Sequence, residues 1–254
     1  MKLNYRKSGQ GPPLIILHGL FGSADNWFSI AKELEASFTL YLVDQRNHGE
    51  SPKSDTWNYQ VMAEDLLELM DDLQLPKAHL MGHSMGGKAV MKFAFTYPEK
   101  VDKLIVADIA PRYYAPHHQE ILKGLNAIPL DTIKSRKEAD DILAQYINHP
   151  GIRQFLLKSL GRNSQNGFEW KVNLPVITAQ IEQVGQEIIA EKPFERPTLF
   201  MGGDKSDYIN EEDKKAIAAL FTDSRIVFIK NAGHWLHAEQ PAAVTETVKA
   251  FLGA

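Results

Sequence analysis

The sequence predicts an α/β fold: a mostly parallel sheet flanked by helices, with a helical cap inserted between two strands. Three observations predict it. Short, continuously apolar runs recur along the chain, and each ends in a polar loop. Amphipathic segments at helical spacing lie between them. One long stretch then breaks the alternation.

In chain order, Leu14–Leu17 runs into His18-Gly19, and Phe38–Val43 into Asp44. Ala78–Met81 runs into Gly82, Leu104–Ala107 into Asp108, and Thr198–Met201 into Gly202-Gly203. Arg225–Ile229 leads toward Gly233-His234. Runs of this length suit parallel strands buried on both faces. Between them, Tyr59–Leu73 places Val61, Met62, Leu66, Leu69, Met70 and Leu73 near one face. Glu211–Phe221 and Ala242–Leu252 also read as amphipathic helices, and Pro241 opens the last, where its missing N–H is harmless. Strand–helix alternation argues for an open α/β sheet, whose sites lie at the carboxyl ends of the strands. The polar loops all fall at that end.

The break covers residues 111–193. It holds helical stretches at Arg136–Ile147 and Ile152–Leu160, separated by Pro150-Gly151, and a polar loop at Gly161–Gly167. No buried strand is visible there. The division predicted is therefore a core of residues 1–110 and 194–254 with a helical cap of residues 111–193.

Composition narrows the function. The 254 residues are 44% hydrophobic and 24% charged, with a net charge of −4 and no basic block of the kind that binds nucleic acid. The chain has no cysteine, which excludes disulfides, thiolate metal sites and a cysteine nucleophile. Met1–Arg6 has no apolar signal region, and no run reaches the ~18 apolar residues of a membrane span. The expectation is a cytoplasmic protein acting on a small molecule, with no membrane span and no cofactor. No metal-binding motif such as H-E-x-x-H is present.

Gly82-His83-Ser84-Met85-Gly86 matches G-x-S-x-G. Random order yields roughly 0.05 such matches in a chain of this composition, so the surroundings must carry the reading. They do: an apolar run precedes the motif and a helical segment follows it, the strand–turn–helix setting that lifts a serine hydroxyl above the sheet. Small residues two before and two after Ser84 let the backbones approach. The plainer reading is a Gly-rich turn holding an idle serine.

With His18-Gly19, Asp44–Ser51, Gly82–Gly87 and Ala232-Gly233-His234-Trp235 in this order, the chain resembles the α/β-hydrolase superfamily of serine esterases. It is similar to the YbfF-type small bacterial esterases and their abhydrolase-domain relatives. The resemblance spans essentially the whole chain and is weakest in the cap.

A serine hydroxyl needs a base within hydrogen-bond reach. His234 follows the last apolar run, on the same sheet edge as Ser84, and comes last in the chain as the hydrolase order of Ser, acid, His requires. His18 reads as a loop-shaping element, His79 as part of a strand and His83 as the variable residue of the turn. His48, His117, His118, His149 and His237 read as surface, loop or packing residues. The resemblance assigns the oxyanion-hole N–H groups to Met85 and Leu20, with Phe21 the adjacent alternative.

The acid departs from the common pattern. The resemblance places it in a Gly-x-x-Asp loop after the penultimate strand, but counting from Gly203 that position holds Ser206, flanked by Asp204 and Asp207. Asp108 ends the strand after the nucleophile helix, and some members of the fold take their acid there. Asp108 is preferred, then Asp207, then Asp204; the plainer role for Asp108 is to cap the entry into the insertion. Asp44 and Arg46 read as structural, fixing their loop by an ion pair or turn network.

In the cap, Ile152, Phe155, Leu156 and Leu160 form an apolar stripe, read as packing with an acyl-chain wall as the alternative. Arg153, Lys158 and Arg162 read as a solvated face, with a contact to an anion such as the phosphates of an acyl-CoA as the alternative. The function expected is hydrolysis of carboxylic esters or acyl thioesters through an acyl-enzyme. The rivals are a same-fold perhydrolase or carbon–carbon bond hydrolase, and a binding protein that keeps the pocket without turnover.

Overall fold

The computed structural model describes all residues, 1–254. Strands β1 (Tyr5–Ser8), β2 (Pro13–Leu17), β3 (Thr39–Val43), β4 (Ala78–His83) and β5 (Val101–Ala107) come first, with helices α1 (Phe28–Leu34), α2 (Tyr59–Asp72) and α3 (Met85–Thr96) among them. Then follow α4 (Gln119–Asn126), α5 (Arg136–Leu143), α6 (Pro150–Leu157), the hairpin β6 (Leu160–Arg162) and β7 (Phe168–Trp170), α7 (Leu174–Ala179) and α8 (Glu182–Gly185). The chain closes with β8 (Thr198–Gly203), α9 (Glu211–Leu220), β9 (Ser224–Ile229), α10 (Leu236–Glu239) and α11 (Pro241–Leu252).

Seven strands form one sheet in the order β1-β3-β2-β4-β5-β8-β9. Every pairing is parallel except that of β1 with β3. Strands β4 and β8 are buried along their whole length because helices cover both faces. The two faces carry separate cores. Met62, Leu66, Val90 and Phe93 pack on one side, and Trp27, Ile30, Leu34 and Val248 on the other.

Three expectations are corrected. The helix expected over Ile152–Leu160 ends at Leu157, and Leu160 begins a two-stranded hairpin. Arg136 explains the stop: its guanidinium donates to the carbonyls of Leu157 and Leu160, satisfying backbone groups a longer helix would have used. The polar loop then turns the chain, with Asn163 N–H donating to the Gly167 carbonyl at 2.9 Å and Asn166 in the left-handed region at φ 63°. The helix expected over Arg136–Ile147 likewise stops at Leu143. At the sheet edge, β9 is not buried on both faces, since Val227 and Phe228 face solvent.

A buried lysine is among the groups that fasten the segment between β5 and β8 to the core. Lys88 on α3 is wholly inaccessible to solvent. Its Nζ donates to the carbonyls of Arg112 at 2.9 Å, Gly185 at 3.0 Å and Gln186, which lie at the two ends of that segment. The Tyr114 ring sits 4.9 Å away. Lys88→Met keeps the side-chain volume but strands three buried carbonyls. It is expected to cost about 3 kcal/mol and to lower Tm by roughly 6–12 °C. An unchanged Tm in a thermal melt would show that water replaces the ammonium.

Candidate active site

The sharp turn from β4 into α3 holds Ser84 at φ 52°, ψ −115°. Only a turn free of neighbouring side chains can close so tightly. A Cβ on Gly82 would meet the Gly86 carbonyl oxygen at 2.1 Å, and one on Gly86 would meet that of Leu17 at 2.5 Å. Ser84 N–H donates to the Ala107 carbonyl at 2.9 Å, which ties the turn to the end of β5.

Three side chains from distant parts of the sequence meet there. Ser84 Oγ lies 3.0 Å from His234 Nε2, and His234 Nδ1 lies 2.8 Å from Asp108 Oδ2. Asp108 is fully buried, so its carboxylate needs donors. It has them: Oδ1 accepts Gly203 N–H at 3.0 Å, and Oδ2 also accepts the Ser206 hydroxyl. Oδ2 faces Nδ1 as an acceptor, which fixes the imidazole with Nδ1–H donating to Asp108 and Nε2 free to accept from Ser84. Asp108 itself sits at φ 49°, a strained value for a non-glycine residue.

The structure brings Ser84, His234 and Asp108 together and leaves the other acids out. Asp204 and Asp207 are exposed and make no hydrogen bond or ion pair with His234. Ser206 stands where an acid was counted from Gly203, and it donates to Asp108 instead.

The backbone donors are also sorted. Phe21 N–H is committed to His48 Nε2 at 3.2 Å, while Leu20 N–H has no protein acceptor. Met85 opens α3, where first-turn N–H groups have no partner inside the helix. Leu20 and Met85 both line the hollow beside Ser84.

Other expectations resolve locally. His18 shapes its loop, accepting Gln45 N–H at 3.0 Å and donating to the Gly19 carbonyl at 2.7 Å. Asp44 accepts from Ala24 N–H, Asn4 Nδ2 and Glu50 N–H. Arg46 pairs not with Asp44 but with Asp65, at 2.6 and 2.8 Å. Arg153 is occupied by Asp140 at 2.8 Å, and Arg162 lies over the Phe168 ring at 3.8 Å.

Two residues with no sequence signal for a site role belong to it. Tyr208 stacks on His234 with ring centroids 4.0 Å apart, and its hydroxyl is hydrogen-bonded to His117 Nε2 at 3.0 Å. His83, the variable residue of the turn, donates from Nε2 to the His234 carbonyl at 2.8 Å. A chamber of about 250 Å³ opens above Ser84, with Trp27, Ile152, Phe155 and Trp235 in its wall. The apolar stripe of the cap thus lines it through Ile152, Phe155 and Leu156, whereas Leu160 is buried in the core.

Several imidazoles here are held neutral. Burial pushes His237 down to about 3, helped by nearby His234. Burial, with His18 adjacent, likewise pushes His48 down to about 3, and burial beside His117 takes His118 to about 4. Burial also keeps His83 well below the usual histidine range. In the unfolded chain His48, His118 and His237 take up protons as pH falls below 6.5, whereas the folded state refuses them until near 3 to 4. Their contribution is complete above 6.5 and is lost as pH falls through that window. Each then removes about 1.4 kcal/mol of stability per pH unit. Denaturant titrations at successive pH values below 6.5 should show falling midpoints; a flat profile there would contradict the burial of these rings.

The chain belongs to the α/β-hydrolase fold family. The family model for that fold matches residues 12–133. Esterase YbfF of Escherichia coli (strain K12) is 39% identical, with 99% of this chain and 99% of that protein aligned. The sn-1-specific diacylglycerol lipase ABHD11 of Danio rerio is 38% identical over 96% of this chain and 79% of that protein. The solved structure of a marine microorganism esterase superposes with a TM-score of 0.97 at 44% identity, covering 99% of each chain. No helix is long and apolar enough to cross a membrane.

Proposed function

We propose that the chain is a serine esterase in which Ser84 is the nucleophile, His234 the general base and Asp108 the acid that orients it. The observation that carries this reading is the unbroken relay Ser84 Oγ–His234 Nε2 and His234 Nδ1–Asp108 Oδ2. His234 takes the hydroxyl proton as Oγ attacks the ester carbonyl, and Asp108 stabilises the imidazolium that forms. The carbonyl oxygen, now negative, accepts from the N–H groups of Leu20 and Met85 beside the positive end of α3. His234 then protonates the leaving oxygen. Water, activated by the same imidazole, releases the acid from Ser84. The same steps cleave an acyl thioester, whose leaving group is a thiol.

The esterase and lipase names of the relatives support this class of reaction. The test is turnover of a panel of p-nitrophenyl esters, paired with fluorophosphonate labelling of the purified protein. Turnover with labelling at Ser84 is the expected result. A protein that cleaves no ester and takes no label would be a binding protein that keeps the pocket.

A further inference from the structure

In the proposed reaction His234 becomes an imidazolium twice per turnover, when it takes the Ser84 proton and when it takes one from water. Its side chain is only 18% exposed, so protein groups must stabilise much of that charge. The groups that face it come from several elements. Asp108 at the end of β5 lies against Nδ1. His83 from β4, His237 from α10 and His118 ahead of α4 lie near, but burial holds all three neutral and they supply no counter-charge. Arg112 is one ring further out, 3.8 Å from the centre of the Tyr114 ring. Beside Asp108, the favourable partner left for the imidazolium is the face of Tyr208.

The Tyr208 and His234 rings lie 4.0 Å apart with their planes at 17°. An aromatic face is negative, and a cation within about 6 Å of its centre is attracted to it. Burial, with Asp108 nearby, pushes the Tyr208 hydroxyl up to about 12, so the ring is a neutral phenol and acts through its face. Its backbone is fixed on both sides. Tyr208 N–H donates to Ser206 Oγ at 3.3 Å, and the same Ser206 hydroxyl donates to Asp108. The Tyr208 carbonyl accepts the Tyr114 hydroxyl, which itself accepts Ala110 N–H at 2.9 Å. The Tyr114 ring also packs on that of Tyr208, 5.4 Å away at 28°. The loop after β8 thus braces the carboxylate at the edge of the imidazole and sets a ring over its face.

Resting on the esterase reading, we propose that Tyr208 is a positioning residue: its ring holds the His234 imidazole in the relay, and its face stabilises the imidazolium formed in each half of the reaction. The Tyr208 hydroxyl, bonded to His117 Nε2 at 3.0 Å, is dispensable for this role.

The experiment changes the charge of the face without changing its shape. Tyr208→Phe keeps the face and removes the hydroxyl. Pentafluorophenylalanine, introduced in place of Tyr208 by amber suppression, keeps the ring and reverses the sign of its face. Hydrolysis of p-nitrophenyl butyrate is followed from about pH 5 to 9. Tyr208→Phe is expected to stay within about threefold of wild type, with an unmoved pH profile. The fluorinated protein is expected to lose about tenfold in kcat, with KM within about threefold of wild type. The acidic limb of its kcat/KM profile is expected to move down by roughly half to one pH unit, because a less stabilised imidazolium gives up its proton at lower pH. A ring that only packed would leave the limb in place, so an unmoved limb in the fluorinated protein overturns the proposal. A loss in Tyr208→Phe as large as in the fluorinated protein also overturns it and transfers the role to the bond with His117. If the fluorinated protein melts well below wild type, Tyr208→Met covers the imidazole without an aromatic face and must move the limb in the same direction; an unmoved limb there is equally fatal. Wild-type protein that cleaves no ester and takes no fluorophosphonate label removes the esterase reading itself.

Discussion

Ser84→Ala is expected to lower kcat on an ester by about 10⁶-fold and to leave the protein folded. The size of the loss follows from the relay. Without Oγ, His234 has no proton to take, and water must attack the bound ester directly. What survives comes from the N–H groups of Leu20 and Met85 and from substrate binding, roughly 10³–10⁴ over the reaction in water. The fold is insensitive because the Ser84 side chain makes one hydrogen bond, to His234. The turn is held by its backbone, through Ser84 N–H to Ala107 and through the close approach of Gly82 and Gly86. Fluorophosphonate labelling should vanish in the variant while its melting temperature stays near that of the wild type. Label that persists would put the nucleophile elsewhere.

Asp108→Asn is expected to lower kcat by about 10⁴-fold. The amide can keep its oxygen toward Gly203 N–H, but it then turns NH₂ toward His234 Nδ1. A donor there forces the proton onto Nε2, and a protonated Nε2 cannot accept from Ser84. The shape is preserved and the tautomer is wrong. Asp204 and Asp207 lie in solvent, so Asp204→Asn and Asp207→Asn should stay within about threefold of wild type, as surface changes away from the site do. Measuring kcat and thermal stability for all three separates the assignments. Near-wild-type activity in Asp108→Asn, with collapse in Asp207→Asn, would return the acid to the loop after β8.

The parts of the fold legible in the sequence are those whose burial is symmetric. Leu14–Leu17, Leu80-Met81 and Thr198–Met201 are covered on both faces and so read as unbroken apolar runs. Tyr5–Ser8 is an edge strand, largely exposed and paired only with β3, and its sequence carries no run to find. The cap hairpin has strands of three residues, too short for any alternation to register. Within the site, Ser84 and His234 followed from motif and order, and Asp108 from its place at a strand end. Ring stacking between Tyr208 and His234, or a bond from His48 to Phe21 N–H, joins side chains from separate loops, and nothing in the local sequence of either partner announces it.

The hydroxyl of Ser206 bears on how such a site changes over generations. It occupies the place where the resemblance puts the common acid, and it already bonds the same oxygen of Asp108 that faces His234. A lineage that placed an aspartate at 206 before losing the one at 108 would hold two carboxylates against each other. One of them would retain a proton, and the imidazolium would lose counter-charge. Gain and loss of the acid at the two strand ends are therefore coupled substitutions. A neutral donor such as the Ser206 hydroxyl suits an acid at 108, whereas a second carboxylate at 206 would not, so moving the acid between the two strand ends passes through an impaired intermediate.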